Sequence, residues 1–228
     1  MKKAFFSLGV LDISVWCLSV ALVIVSFFLS AEPNILNTIT SLVGVSALIF
    51  VAKGQVLGQI LLAGFAFLYG TVSFFQSYYG ETAICLFLSL PLAAFAIIAW
   101  YKNPYDESGE VKISRVGIKE LTVLLPLTVG VSVAFYFILS ALGTASPVWS
   151  TVSVATSFLA AGLTVLRSPY FALGYVANDV ILIILWVIAT LRDPSCISMV
   201  VCFFAFLIND SYSFVCWYGR KTKQEENK

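Results

Sequence analysis

Apolar residues fall along this chain in eight long blocks separated by short polar breaks. The blocks cover roughly residues 11–30, 35–52, 54–77, 82–101, 121–142, 147–166, 170–191 and 195–217. Each approaches the ~20 residues a helix needs to cross the hydrocarbon core of a bilayer. A helix satisfies its own backbone groups where water is absent, so the pattern predicts eight transmembrane helices. Prolines mark the breaks. Pro33, Pro147, Pro169 and Pro194 stand just before or at the start of a block, where a missing N–H costs nothing. Pro91 and Pro126 lie inside blocks, and a kink is expected at Pro91, whose ring removes one backbone hydrogen bond.

The informative positions are the polar ones inside the blocks. Asn178 and Asp179 sit near the middle of the seventh. A carboxylate at that depth costs on the order of 2.5–3.5 kcal/mol on insertion scales, so it faces a polar interior and marks a pathway or site. The structural alternative is a pair that hydrogen-bonds a neighbouring helix. In the third block, Gln55, Gln59, Ala63, Ala66, Gly70 and Ser73 recur at three- or four-residue spacing and form a small, polar stripe. Gly54-x-x-x-Gly58 within it reads as a close-packing signal for a helix pair. The seventh block adds Tyr175 and the eighth adds Asn209, Asp210 and Ser213. Amides and carboxylates beside aromatics suit a ligand with a flat ring and a hydroxylated or amide-bearing part.

Composition agrees with a membrane protein. Of 228 residues, 60% are hydrophobic and only 11% charged, and the mean hydropathy is +0.97. The fold class is therefore an all-α polytopic membrane protein with the lipid bilayer as its solvent. A net charge of +1 gives no reason to expect nucleic acid as a partner. Histidine is absent, which removes the commonest general base and metal ligand. The five cysteines lie in apolar runs with no C-x-x-C spacing and read as packing residues. No catalytic residue, metal or cofactor is expected.

Charge orients the helices. With eight crossings, twelve of the thirteen Lys and Arg residues fall on the side that holds both termini, and Arg192 alone falls on the other. The positive-inside rule then places both termini in the cytoplasm, in the cell membrane. The first block follows Lys2-Lys3 and resembles a secretory signal. Asp12 interrupts it early and no clean A-x-A site follows, so an uncleaved helix is expected. The loop from Asn103 to Glu120 reads either as an amphipathic surface helix, with Val111, Ile113, Val116 and Ile118 facing lipid, or as a solvated linker. The tail from Arg220 is short and charged and is expected to be disordered.

Blocks two to four and six to eight look like two copies of one three-helix unit, both starting outside and ending inside. Lys53 matches Arg167, Gly58 matches Gly174, and Trp100-Tyr101-Lys102 matches Trp217-Tyr218 followed by Arg220. The organisation is then an N-terminal transmembrane helix (1–30), a first three-helix bundle (35–101), a cytoplasmic loop and linker helix (102–142), a second bundle (147–217) and a tail (218–228). This is one extra helix plus a 3+1+3 parallel repeat, and parallel repeats related by an axis along the membrane normal are a recognised transporter design, with substrate near the midplane between the copies.

These residues also carry a resemblance. The chain resembles the PnuC-type vitamin transporter family, typified by nicotinamide riboside uptake proteins and sharing a 3+1+3 architecture with the SWEET sugar transporters. Within the stretch from Gly58 to Trp100, Leu68-Tyr69, Tyr78-Tyr79-Gly80-Glu81, Pro91 and Trp100 fall where the family has a G-x-x-N/Q…LY…YGE…P…W pattern. Asn209…Trp217-Tyr218 resembles its N-x-x-x-G-x-x-x-W close, with Ser213 in place of the glycine. One departure concerns the seventh helix. Nicotinamide riboside members carry W-x-x-W-x-x-x-N there, whereas this chain has Ala172-x-x-Tyr175-x-x-x-Asp179. With the polar residues above, the resemblance implies a substrate-binding set of Gln59, Tyr69, Gln76, Glu81, Tyr175, Asn178, Asp179, Asn209 and Asp210.

The resemblance implies facilitated diffusion of a small molecule by alternating access, nicotinamide riboside being the first choice. Thiamine, riboflavin and nucleosides stay open. It further implies dependence on a cytoplasmic kinase that traps the substrate, and a homo-oligomer is possible. No P-loop G-x-x-x-x-G-K-[ST] occurs, so the chain has no ATP-driven step of its own. A proton or sodium ion could bind Asp179 or Asp210. Two rivals differ in class. One is a vitamin-binding membrane subunit of an ATP-driven importer. The other is an intramembrane aspartyl protease, since two acids lie on successive helices, but the expected Y-D and G-x-G-D contexts are absent.

Overall fold

The computed structural model describes residues 8–29, 35–75, 79–105, 109–144, 146–191 and 197–226. Its elements are α1 (Val10–Leu29), α2 (Ile35–Ala52), α3 (Val56–Phe75), α4 (Tyr79–Ile84), a π-helical turn (Cys85–Ser89), α5 (Leu90–Tyr101), α6 (Ile118–Ala141), α7 (Pro147–Val165), α8 (Phe171–Thr190) and α9 (Ile197–Glu226). Among the described residues there are no strands, only two isolated bridges. Eight helical segments are long and apolar enough to cross a membrane, with α4, the π turn and α5 counting as one. The irregularity expected near Pro91 is that π turn, where the Leu90 N–H reaches back to the Cys85 carbonyl. Pro91 sits in the first turn of α5, where its missing N–H is tolerated.

The helices close into a ring. Reading around it, α2 packs on α3, α3 on the α4–α5 segment, α5 on α7, α7 on α8, α8 on α9, and α9 back on α2. Helix α1 lies outside against α9 and α2, and α6 lies outside against α7. Close approach needs small residues where no hydrophobic force distinguishes helix from lipid. A Cβ at Gly58 would stand 2.5 Å from the Val51 backbone nitrogen, and one at Gly174 would stand 2.8 Å from the Ala160 Cβ. Gly54 does not share that role: with φ of +67° it turns the chain between α2 and α3.

The turn between α7 and α8 repeats the turn between α2 and α3 bond for bond. Gly54 N–H donates to Val51 O and Gln55 N–H to Phe50 O; Arg167 N–H donates to Thr164 O and Ser168 N–H to Leu163 O. Arg167 takes the same left-handed conformation, with φ of +60°. The counterpart of Arg167 is thus Gly54, one residue on from the Lys53 suggested by charge alone. Gly58 correspondingly aligns with Phe171 and not with Gly174. The two tryptophans then cross over. Trp100 Nε1 of α5 donates to the Thr164 carbonyl (2.9 Å), and Trp217 Nε1 of α9 donates to the Val51 carbonyl (2.8 Å). Each helix that ends a three-helix unit binds the turn of the other unit. The indoles lie 5.1 Å apart, and Phe171 meets Trp217 edge-on at 4.8 Å. All three side chains are almost fully buried. Trp100 and Trp217 therefore close the basic end of the ring.

Between α5 and α6 the described residues 109–117 form neither an amphipathic helix nor a solvated linker. They cross this same basic end of the ring as an extended strap. Val111 N–H donates to Gly54 O (2.9 Å) and Ser114 N–H to Arg167 O (3.1 Å), one bond to each turn. Val111 is buried, and Ile113 and Val116 pack on the core instead of facing lipid; Ile118 remains exposed. The tail is likewise helical as far as Glu226, not disordered. Gln224 bonds the strap at Ile113 N and Val111 O, Arg220 pairs with Glu110 (3.1 Å), and Glu225 pairs with Arg115 (3.0 Å). Asp12, which interrupts the first block, is buried against Lys53 Nζ (2.6 Å) and accepts the Tyr212 hydroxyl (2.5 Å). That ties α1 to the α2–α3 turn and to α9.

Candidate substrate cavity

Inside the ring, α3 and α8 stand opposite each other, and their polar stripes face a shared cavity of about 160 Å³. One water needs roughly 10–15 Å³ on the same measure, so this space has room for something far larger. The Trp100–Trp217–Phe171 layer bounds it at the basic end: Val51 and Thr164, whose carbonyls the tryptophans bind, both line it.

Seven of the nine residues proposed for binding line this cavity. Gln59 and Tyr69 come from α3, Glu81 from α4, Tyr175, Asn178 and Asp179 from α8, and Asp210 from α9. Asn209 turns away: its amide donates to Ser19 Oγ of α1 (2.6 Å) and to Ala205 O (2.7 Å). Gln76 lies outside the described residues. Asn178 has a structural duty as well, because its Oδ1 accepts the hydroxyls of Ser153 (2.9 Å) and Thr156 (3.0 Å) on α7. Tyr69 stacks flat on Phe65, at 5.6 Å and 8°, and Tyr175 stands edge-on to Phe171 at 6.2 Å. The Tyr175 side chain hydrogen-bonds Thr164.

Asp179 and Asp210 meet. Their carboxyl groups lie within hydrogen-bonding reach of each other across α8 and α9. Both residues are buried, at 3% and 2% exposure, as is Gln59 at 2%. Asp179 Oδ2, Asp210 Oδ1 and Gln59 Nε2 have no hydrogen-bond partner within the described protein. Buried polar groups are satisfied in about nine cases of ten or more, so a group of orphans around one cavity points to a ligand that completes them. No Lys or Arg lines the cavity among the described residues.

Three parts of the site escaped the sequence reading. The tryptophan floor is one. The second is the hydroxyl-bearing face of α7, where Ser153, Ser157, Ala161 and Thr164 line the cavity. These recur at three- and four-residue spacing and mirror the small, polar stripe on α3, so the signal was present in the sixth block. The third is the π turn, which brings Cys85, Leu88 and Ser89 to the wall.

The family model described as Nicotinamide mononucleotide transporter matches residues 34–219, most of the chain and the whole ring. The chain belongs to that family. It is a membrane transporter by family and not an enzyme, so the two apposed aspartates are not those of an intramembrane protease. Among curated relatives, the nicotinamide riboside transporter PnuC of Neisseria mucosa is 26% identical over 211 residues, spanning 90% of this chain and 80% of the relative. Among solved structures, the crystal structure of the vitamin B3 transporter PnuC superposes with a TM-score of 0.80 at 20% identity, covering 96% of this chain and 95% of that one. At that identity the superposition speaks for the fold. Membership of the nicotinamide mononucleotide transporter family thus supplies the transport function.

Proposed function

We propose that this protein carries a water-soluble, vitamin-like heteroaromatic molecule, nicotinamide riboside first, across the cell membrane by facilitated diffusion. The observation that carries this reading is a cavity inside a ring of apolar helices, lined by buried amide and carboxyl groups without hydrogen-bond partners among the described residues. Aromatic faces from Tyr69 and Tyr175 suit a flat ring, and the amide and carboxyls suit a ribose or carboxamide. A phosphorylated nucleotide fits poorly, because Glu81, Asp179 and Asp210 line the cavity without an opposing cation. The nucleoside is therefore the better candidate than the mononucleotide.

The two units are residues 35–101 and 147–217, with α6 as the linker between them. Alternating access follows if they rock about the central site. The basic end faces the cytoplasm by the positive-inside rule, so both termini are cytoplasmic and the tryptophan floor is an inner gate in its closed position. Net accumulation then depends on a cytoplasmic kinase that traps the imported nucleoside. Counterflow of nicotinamide riboside by the purified protein in liposomes tests the reading. Flux without any ATPase also excludes a binding subunit of an ATP-driven importer. Absence of counterflow with nicotinamide riboside, thiamine, riboflavin and deoxynucleosides overturns it.

A further inference from the structure

We infer that Arg220 is a positioning residue of the transport cycle, a bolt that holds the basic end of the ring shut and that the strap keeps in its seat. The inference rests on the transport reading above and adds to it a residue outside the cavity. Trp217 and Arg220 stand one turn apart on α9 and bind successive carbonyls at the end of α2. Trp217 Nε1 donates to Val51 O (2.8 Å) and Arg220 Nη2 donates to Ala52 O (3.1 Å). Arg220 Nε also donates to Glu110 Oε2 of the strap (3.1 Å), and the guanidinium lies over the Trp217 ring, 5.7 Å from its centroid. One charged group on the second unit therefore grips the first unit and the strap together, through the charge-assisted bonds that are the stronger kind. Arg220 does not line the cavity, so it bears on access to the site and not on binding within it.

The other unit closes on its turn without such a bolt. Trp100 makes the bond that corresponds to that of Trp217, but the residue one turn on is Asn103, whose amide turns back to Ala99 O of its own helix (2.8 Å). The bolt is thus an addition on one side of the tryptophan layer. Its seat is cut to fit: a Cβ at Gly54 would stand 3.0 Å from Arg220 Nη1 and 3.4 Å from Val111 Cγ1. The strap is held to α9 as well, because Gln224, one turn beyond Arg220, bonds Ile113 N and Val111 O. Yet Arg220 Nη1 is buried and has no hydrogen-bond partner among the described residues. A buried orphan donor carries a desolvation cost that water removes once the group is exposed, so the seated bolt works against a bias toward release.

The test keeps Cys85, which lines the cavity, as the sole cysteine. A membrane-impermeant thiol reagent is applied to inside-out and right-side-out vesicles, so that labelling is read from each side separately. No ligand is needed, so failure here is distinct from failure of the transport reading, which counterflow judges. In Arg220→Gln, labelling from the basic side should rise at least fivefold while labelling from the opposite side stays level or falls. Glu110→Gln removes the counter-charge but leaves the strap's backbone bonds in place, and should give the same one-sided rise, at least twofold. Where Arg220→Gln does not fold, Glu110→Gln decides by the same criterion. A rise of equal size from both sides marks a loosened fold and overturns the inference, as does wild-type labelling in both variants. A one-sided rise in Arg220→Gln with wild-type labelling in Glu110→Gln keeps the bolt and overturns the strap's part in it.

Discussion

Replacing Trp217 or Trp100 by phenylalanine should open the basic end of the ring. Each substitution keeps an aromatic ring but removes the one N–H that reaches the other unit, at Val51 O or Thr164 O. Both carbonyls keep the N–H of their own turn, from Gly54 and Arg167, so each substitution forfeits one of two hydrogen bonds, worth about 0.5–1.5 kcal/mol. In a conformation open at this end that bond is already broken, so the loss falls on the closed state alone. The closed-to-open ratio should therefore drop about 2- to 13-fold per substitution. Cys85 is buried and lines the cavity, which makes it a native reporter. With Cys85 as the sole cysteine, a membrane-impermeant thiol reagent applied from the basic side should label either variant faster by that factor, and the double variant faster still. A lower Tm with labelling at the wild-type rate would refute the reasoning, because the two bonds would then persist in both conformations.

Asp179→Leu should keep the protein in the membrane but weaken ligand binding by about 1–3 kcal/mol, whereas Asp179→Asn should fold normally; expression and calorimetric affinity of both variants check this, and full affinity in a well-folded Leu variant removes Asp179 from the site. Gly174→Ala places a methyl 2.8 Å from the Ala160 Cβ, so α7 and α8 must part and the Tm should fall by the equivalent of about 1–3 kcal/mol. A cysteine at Lys119, exposed at the start of α6, should react with an impermeant reagent in inside-out vesicles and not in intact cells; efficient labelling of intact cells would invert the proposed topology.

Spans were legible because an apolar run of spanning length has few alternative uses, and the observed helices depart from the expected blocks mainly at their ends. The carboxylate inside the seventh block was legible for the same reason: Asp179 has no cheap place in hydrocarbon, and it lines a cavity that Gln59, Glu81 and Asp210 also reach. What stayed hidden depends on pairing across long stretches of chain. Trp217 and Val51 are far apart in sequence, and a tryptophan near a helix end looks the same whether it anchors in headgroups or seals a gate. Val111, Ile113 and Val116 have the spacing of an amphipathic helix, yet the carbonyls of Gly54 and Arg167 offer their backbone a better set of bonds than lipid does. The one-residue shift between Lys53 and Gly54 has a similar origin. Charge marks a side of the membrane, while the left-handed turn conformation marks a position in the backbone.

The strap between α5 and α6 also bears on the order in which the molecule can be assembled. Its bond to Gly54 joins two segments already synthesised when the strap emerges, so that half can form early. Its bond to Arg167 waits for α7, and its bonds to Gln224 wait for the final turns of α9. Until then the Ile113 N–H and the Val111 carbonyl must remain in contact with water. A chain in mid-insertion therefore displays an exposed, half-bonded segment on the basic side, and a finished one does not. Quality-control proteases that sample this face would meet their substrate only while the last helix is missing.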